Sequence, residues 1–248
     1  MMKQRRDRGM MPRQRGQALA EYIYVFPILA LLILGAIQFG FIYQAKATLN
    51  YATFAATRQG ALHNGSMSAI VDGLVSGMMP LFTHSSATGG QRNFDLLKDA
   101  WKRSSSQMTN PKLTSIAIVN PTKAALGAYK DLSDSNDEIP NDNLMYRPTD
   151  LVDGSMNIQD ANLLKVRITY CYRLIVPILN KLIFHLAIDP PGTPDDIATA
   201  PDLLASTGGN SKTLPCTGID DEYRIPITSE AVVRMQTPFK SPAKWVGP

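Results

Sequence analysis

The chain has 248 residues, room for one membrane segment and one globular domain of ordinary size. Its formal charge is +4, yet residues 1–16 carry Lys3, Arg5, Arg6, Arg8, Arg13 and Arg15 against Asp7 alone, so the rest of the chain nets −1. Basicity confined to a short leader argues against a nucleic-acid-binding surface and fits an N-terminus held in the cytoplasm by the positive-inside rule.

Residues 23–43 follow as a run without a charged side chain, with Gln38, Tyr24 and Tyr43 its only polar members. Twenty-one helical residues reach about 32 Å, one hydrocarbon thickness. Pro27 falls in the first turns and leaves the Ile23 carbonyl without its usual donor, a defect that membrane helices tolerate and that predicts a gentle kink. Glu21 stands at the edge of this run, where a carboxylate costs about 2.5–3.5 kcal/mol on insertion scales, so it needs a partner or a route to water. A cleaved secretory signal is the competing interpretation, because Ala45-Lys46-Ala47 has the small-x-small spacing of a signal peptidase site. Against it stand the length of the run and the acidic residue at its start.

The helical pattern continues past the membrane surface to about Leu62, with no proline between Pro27 and Pro80. Ala45, Leu49, Ala52 and Ala56 form a narrow apolar stripe, and Lys46, Asn50, Thr53 and Thr57 line the neighbouring face. Ala36 and Gly40 make a small-xxx-small pair inside the bilayer, which lets a second helix approach closely. The alanine stripe can pack on the chain's own domain, on neighbouring subunits, or on both.

Beyond residue 62 the pattern predicts an α+β domain. A helix is expected over 66–79 with Pro80 as its stop, and another over 94–102 with Phe94, Leu97 and Trp101 on one face. Strands are expected over 113–119 and 164–174, the latter alternating Leu164, Val166, Ile168, Tyr170, Tyr172 and Leu174 with Lys165, Arg167, Thr169, Cys171 and Arg173. Residues 177–186 are too short to span a membrane; they fit a helix packed on the sheet, with a membrane-surface segment as the alternative. A last strand is expected over 227–236, broken in its alternation by Val232. Two connectors, 131–162 and 189–223, are polar, the first strongly acidic and the second rich in proline and glycine. Asp134, Asp137 and Glu138 lack the spacing of a calcium loop and fit a solvated loop.

Cys171 and Cys216 are the only cysteines, and both lie beyond the apolar run. One disulfide is the expectation if that part is exported, with two separate buried thiols as the alternative. Period two would place Cys171 on the solvent face of its strand, so the bridge would clamp a loop there, away from the main core. His63, His84 and His185 are scattered without metal-ligand spacing, and no nucleophile elbow, phosphate loop or Cys-x-x-Cys pair occurs. The expectation is a protein with no catalysis, no metal, no cofactor and no small-molecule substrate.

Gly16, then Gln17-Ala18-Leu19-Ala20, then Glu21-Tyr22, between a basic leader and a bilayer-length run, resembles the TadE-like family, minor pilin-like proteins of the tight-adherence (Tad/Flp) pilus system. The similarity extends over about residues 13–62 and includes Pro27 and Arg58; many TadE-like sequences have Val-Glu-Phe where this one has Ala20-Glu21-Tyr22. The resemblance implies a pilin-like α+β fold: a cytoplasmic leader (1–16), a transmembrane helix (17–43), its extracytoplasmic continuation (44–62) and a periplasmic domain (63–248). It implies a bacterial inner-membrane location, cleavage between Gly16 and Gln17 by a prepilin peptidase, and partners among the lipid bilayer, other pilin or TadE-like subunits and the Tad assembly machinery. It also implies that Glu21 faces the new amine of an adjacent subunit. An uncleaved single-pass anchor with a scaffolding outer domain is the other outcome the sequence allows, and release after Ala47 a third.

Overall fold

The computed structural model describes residues 17–83, 93–129, 138–151, 156–187, 216 and 222–240. The leader 1–16 including Gly16, residue His84, Asp134 and Asp137 of the acidic connector, and all but Cys216, Glu222 and Tyr223 of the connector 189–223 lie outside them. The architecture is α+β: a long apolar N-terminal helix, then a domain with a small antiparallel sheet and short helices.

Helix α1 runs unbroken over Gln17–Leu62, with Pro27 inside it. It ends because Asn64 and Gly65 take left-handed backbone angles (φ 57° and 73°), and the Gly65 N–H closes on the Gly60 carbonyl at 2.8 Å. Glycine is required at 65 twice over, since a Cβ there would lie 2.3 Å from the Phe239 ring. The chain reverses into α2, Met67–Phe82. Pro80, expected to stop this helix, lies inside it; Phe82 ends it two residues later.

Small residues set the α1–α2 distance. A Cβ on Gly73 would come within 2.7 Å of Ala56 Cα, and one on Gly77 within 2.6 Å of Ala52 Cα. Ala45, Leu49, Ala52 and Ala56 on α1 and Ile70, Leu74 and Met78 on α2 are all fully buried. Each large aliphatic side chain among them contributes about 1.5–3 kcal/mol by burial. Thr53 and Thr57, also fully buried, satisfy their hydroxyls by donating to the carbonyls one turn back, Leu49 and Thr53, each at 2.7 Å.

Helix α3, Asn93–Met108, is longer than the sequence suggests and packs on α2 through Ala100, Ser104 and Met108. The Ser104 hydroxyl donates to the Val75 carbonyl at 2.7 Å. Phe94, Leu97 and Trp101 therefore face outward, because the small residues at 100 and 104 form the side that can approach α2 closely.

The main sheet has the order β1-β3-β4, all antiparallel: β1 is Thr114–Asn120, β3 Leu163–Arg173 and β4 Arg224–Arg234. Leu164, Val166 and Ile168 on β3 and Ile225 and Ile227 on β4 are buried in the core shared with α1. On the opposite face Glu230 pairs with Arg167 directly across the strands and with Lys165 at 2.8 Å. Partial burial pushes the Glu230 carboxyl up, but the hydrogen bonds and charges of Lys165 and Arg167 outweigh it and hold the group below its ordinary value. Burial pushes the Tyr170 phenol up to about 12 despite the nearby Arg224 guanidinium.

Cys171 and Cys216 form a disulfide with their Cα atoms 5.5 Å apart. With Leu113 they make a cluster separate from the main core. The expected solvent face is absent at this point, however: both cysteines are fully buried because Leu113 covers that side of the strand. Four further elements carried too little pattern to be expected: α4 (Lys123–Tyr129), α5 (Ile158–Ala161), and the paired two-residue strands β2 (Glu138–Ile139) and β5 (Phe239–Lys240). That pair ties residues 236–240 over the helical hairpin. Gln236 N–H donates to Ala61, Lys240 N–H to Asn64, and Asn64 Nδ2 to the Pro238 carbonyl.

The α1–α2 spacing is open to test. Gly77→Val should cost about 1–3 kcal/mol by overpacking against Ala52, whereas Gly127→Ala in α4, with open space around its Cβ, should be neutral or gain up to about 1 kcal/mol. Thermal unfolding of the full chain in detergent, followed by circular dichroism, compares the two; equal midpoints would remove the seam from the account.

Candidate membrane anchor and assembly face

The lower half of α1 projects clear of the domain. From Glu21 to Ile33 every side chain except Ala30 is exposed, including Tyr22, which stacks on Phe26 with ring centroids 5.3 Å apart. The helix is long and apolar enough to cross a membrane, with a mean hydropathy of 2.4 in its most apolar window. Gln17 begins the helix, and Glu21 is exposed one turn later.

The domain grips one side of the stem at two polar points. Gln38 is fully buried, and its Oε1 accepts the Val176 N–H at 2.8 Å. Its Nε2 has no partner among the described residues. Two turns higher, the Lys46 ammonium donates to the Thr228 carbonyl on β4, the sheet edge that α1 covers. Between and above these points the contact row continues through Ile42, Ala45, Leu49, Ala52, Ala56 and Gly60.

The opposite side of the same helix is bare. Ala36 and Gly40 are exposed, and a Cβ added to Gly40 would meet nothing within 4 Å. The row rises by helical spacing through Tyr43, Ala47, Tyr51, Phe54 and Leu62, all exposed. A groove of about 340 Å³ lies beside its upper end, lined by Phe54, Arg58, Leu62, Val233 and Gln236. The small residues singled out in the sequence therefore fall on two faces. Ala45, Ala52 and Ala56 are consumed by the chain's own domain, and Ala36 and Gly40 face away from it. Tyr51, Phe54 and Leu62 share this bare face at spacings of three and eight residues, with Arg58 between the last two, a helical pattern that the sequence carries.

The segment after β3 departs from expectation. Helix α6, Leu179–Ala187, rests on α1 and β4 through Leu179, Ile183 and Phe184, with Phe184 edge-on to Tyr223 at 5.4 Å. Ile178, Leu182 and Leu186, expected to pack on the sheet, turn outward. Apolar residues wrap more of this helix than the narrow contact with β4 and Tyr223 can cover.

Residues 16–58 match the family model described as TadE-like protein. This stretch is similar to TadE-like proteins. It begins at the glycine of the Gly-x4-Glu-Tyr motif and covers the stem almost to its end. No curated protein and no solved structure matches the chain. Among the described residues no group of three or more His, Cys, Asp and Glu side chains could hold a metal ion. Glu138 of the acidic connector is instead paired with Lys240.

Gln38→Leu should strand the buried Val176 N–H, at a cost of about 1–3 kcal/mol. Hydrogen exchange of the full chain should then quicken at residues 176–187 while the α1–α2 hairpin keeps its protection. Unchanged exchange in that segment would mean that Gln38 does not hold it.

Proposed function

We propose that this protein is a minor pilin-like subunit, a pseudopilin, of a Tad/Flp-type pilus system, held in the bacterial inner membrane by the stem of α1 with its α+β domain in the periplasm. The observation that carries this proposal is the TadE-like match on a helix whose domain covers one side only. A chain that worked alone would gain from burying Ala36, Gly40, Tyr51 and Phe54; a chain that packs stem to stem needs that side free.

In this proposal a prepilin peptidase cuts between Gly16 and Gln17, removes the basic leader and creates an amine at the start of the stem. Glu21 lies one turn along the helix, and its carboxylate meets the amine of an adjacent subunit. Pairing relieves both charges of an unfavourable place in lipid and fixes axial register between stems. The small pair Ala36–Gly40 allows the close approach that such register needs, and the disulfide Cys171–Cys216 braces the exported domain. Its partners are the bilayer, the peptidase, other pilin or TadE-like subunits and the assembly machinery. No catalytic role, cofactor or metal is assigned to it.

Intact-mass measurement on membranes that contain the peptidase should find a mature chain beginning at Gln17. A retained leader would leave an uncleaved single-pass anchor with a scaffolding domain. Separately, Glu21→Ala should insert into the membrane normally yet lower the amount of protein recovered with sheared pili or of pili made. Normal pilus output from that variant would remove the register role.

A further inference from the structure

Among the described residues, Ile175, Ile178, Leu182 and Leu186 form an aliphatic row that the domain's own packing leaves open, with exposures of 58%, 68%, 49% and 63%. Its height on the molecule is fixed. Val176, inside this segment, donates its N–H to Gln38, and Gln38 belongs to the apolar run of α1. Gln38 precedes Tyr43, the last residue of that run, by five positions, or about 7.5 Å along the helix. Val176 therefore lies below the level where the apolar run of the stem ends, and the short helix that follows it rests on α1.

We infer that residues 175–186 form a foot that lies in the outer boundary of the same bilayer, with the acyl chains of that leaflet as the occupant of the aliphatic row. This rests on α1 spanning the membrane. Three further features fit lipid as the occupant. Ile178, Leu182 and Leu186 recur at four-residue spacing, and Lys181 and His185 form a parallel row one residue away. An amphipathic helix of this kind settles with its apolar side about 5–10 Å into the headgroup boundary, which is the depth that Gln38 dictates. The Lys181 side chain is exposed and can reach anionic headgroups by extending its stem. Finally, Ile178 holds a left-handed backbone (φ 71°), a strained state for a β-branched residue, and the turn it makes directs its side chain outward, where water alone would gain nothing from it. Together the stem and foot would set the depth and tilt at which the domain meets the membrane, which a single helix leaves free to rotate.

The test uses the full chain in vesicles of phosphatidylethanolamine and phosphatidylglycerol, with nitroxide quenchers placed either just below the headgroups or deep in the acyl chains. An environment-sensitive label is attached at one added cysteine: Leu182→Cys for the foot, Ile33→Cys for the middle of the stem, or Met145→Cys on the outer domain. The foot label should lose most of its emission to the shallow quencher, the stem label to the deep one, and the Met145→Cys label to neither. A foot label as unquenched as the one at 145, with the stem label quenched, overturns the foot and leaves the spanning helix standing. An unquenched stem label overturns both. If unlabelled Leu182→Cys chains cross-link to each other on oxidation and the labelled chains escape quenching, the row belongs to a second copy and the lipid assignment is wrong.

Discussion

Everything in this fold hangs from the contact between α1 and α2, where the backbones approach as closely as alanine and glycine allow. Ala52 meets Gly77, Ala56 meets Gly73, and Gly60 meets Ile70, so any larger residue on either side would collide with main chain or with a buried side chain. Close approach buries Leu49, Leu74 and Met78 completely, which is where dispersion and burial contribute most per residue. It also fixes one rotation of α1 about its own axis. Once that rotation is set, the sheet face bearing Leu164, Val166 and Ile168 has one place to pack, and the remaining side of the helix must face outward.

The polar contacts refine this arrangement more than they drive it. Lys46 caps a carbonyl on the edge strand β4, which would otherwise invite pairing with another chain. Gln38 holds a backbone N–H of the α+β domain against the apolar part of the stem, an unusual place for a polar pair. Its amide nitrogen remains without a partner among the described residues, so the carbonyl contact is achieved at some expense. The result is a domain that grips its anchor below the point where the anchor leaves the membrane, in the proposed orientation, and does not merely follow it on a linker.

Much of this was legible in the residues. The apolar run, the uninterrupted helix to Leu62 and the alternation of β3 all depend on local periodicity, and each element sits within one residue of its expected bounds. Expectation failed where the pattern was ambiguous or where packing overruled it. Pro80 falls inside α2 and not beyond it, in the last turn, so the helix runs two residues past it before Phe82 ends it. The shared face of Phe94, Leu97 and Trp101 on α3 was legible, but not its direction: it turns outward because the smaller Ala100 and Ser104 make the contact with α2. Cys171 should have looked into solvent by alternation alone; Leu113, from before β1, closes over it.

Sequence by itself determined that there is one long apolar helix with a carboxylate at its edge, and that the rest is an α+β domain, because charge, length and side-chain period are properties of neighbouring residues along a chain. It could not assign the two sets of small residues on α1. Ala45, Ala52 and Ala56 look much like Ala36 and Gly40 as letters, and only the docking of α2 and the sheet decided which set is filled and which is left open. The outward turn of Ile178, Leu182 and Leu186 was decided the same way. Which face of a helix is covered depends on partners distant in sequence, and their positions exist only once the chain has folded.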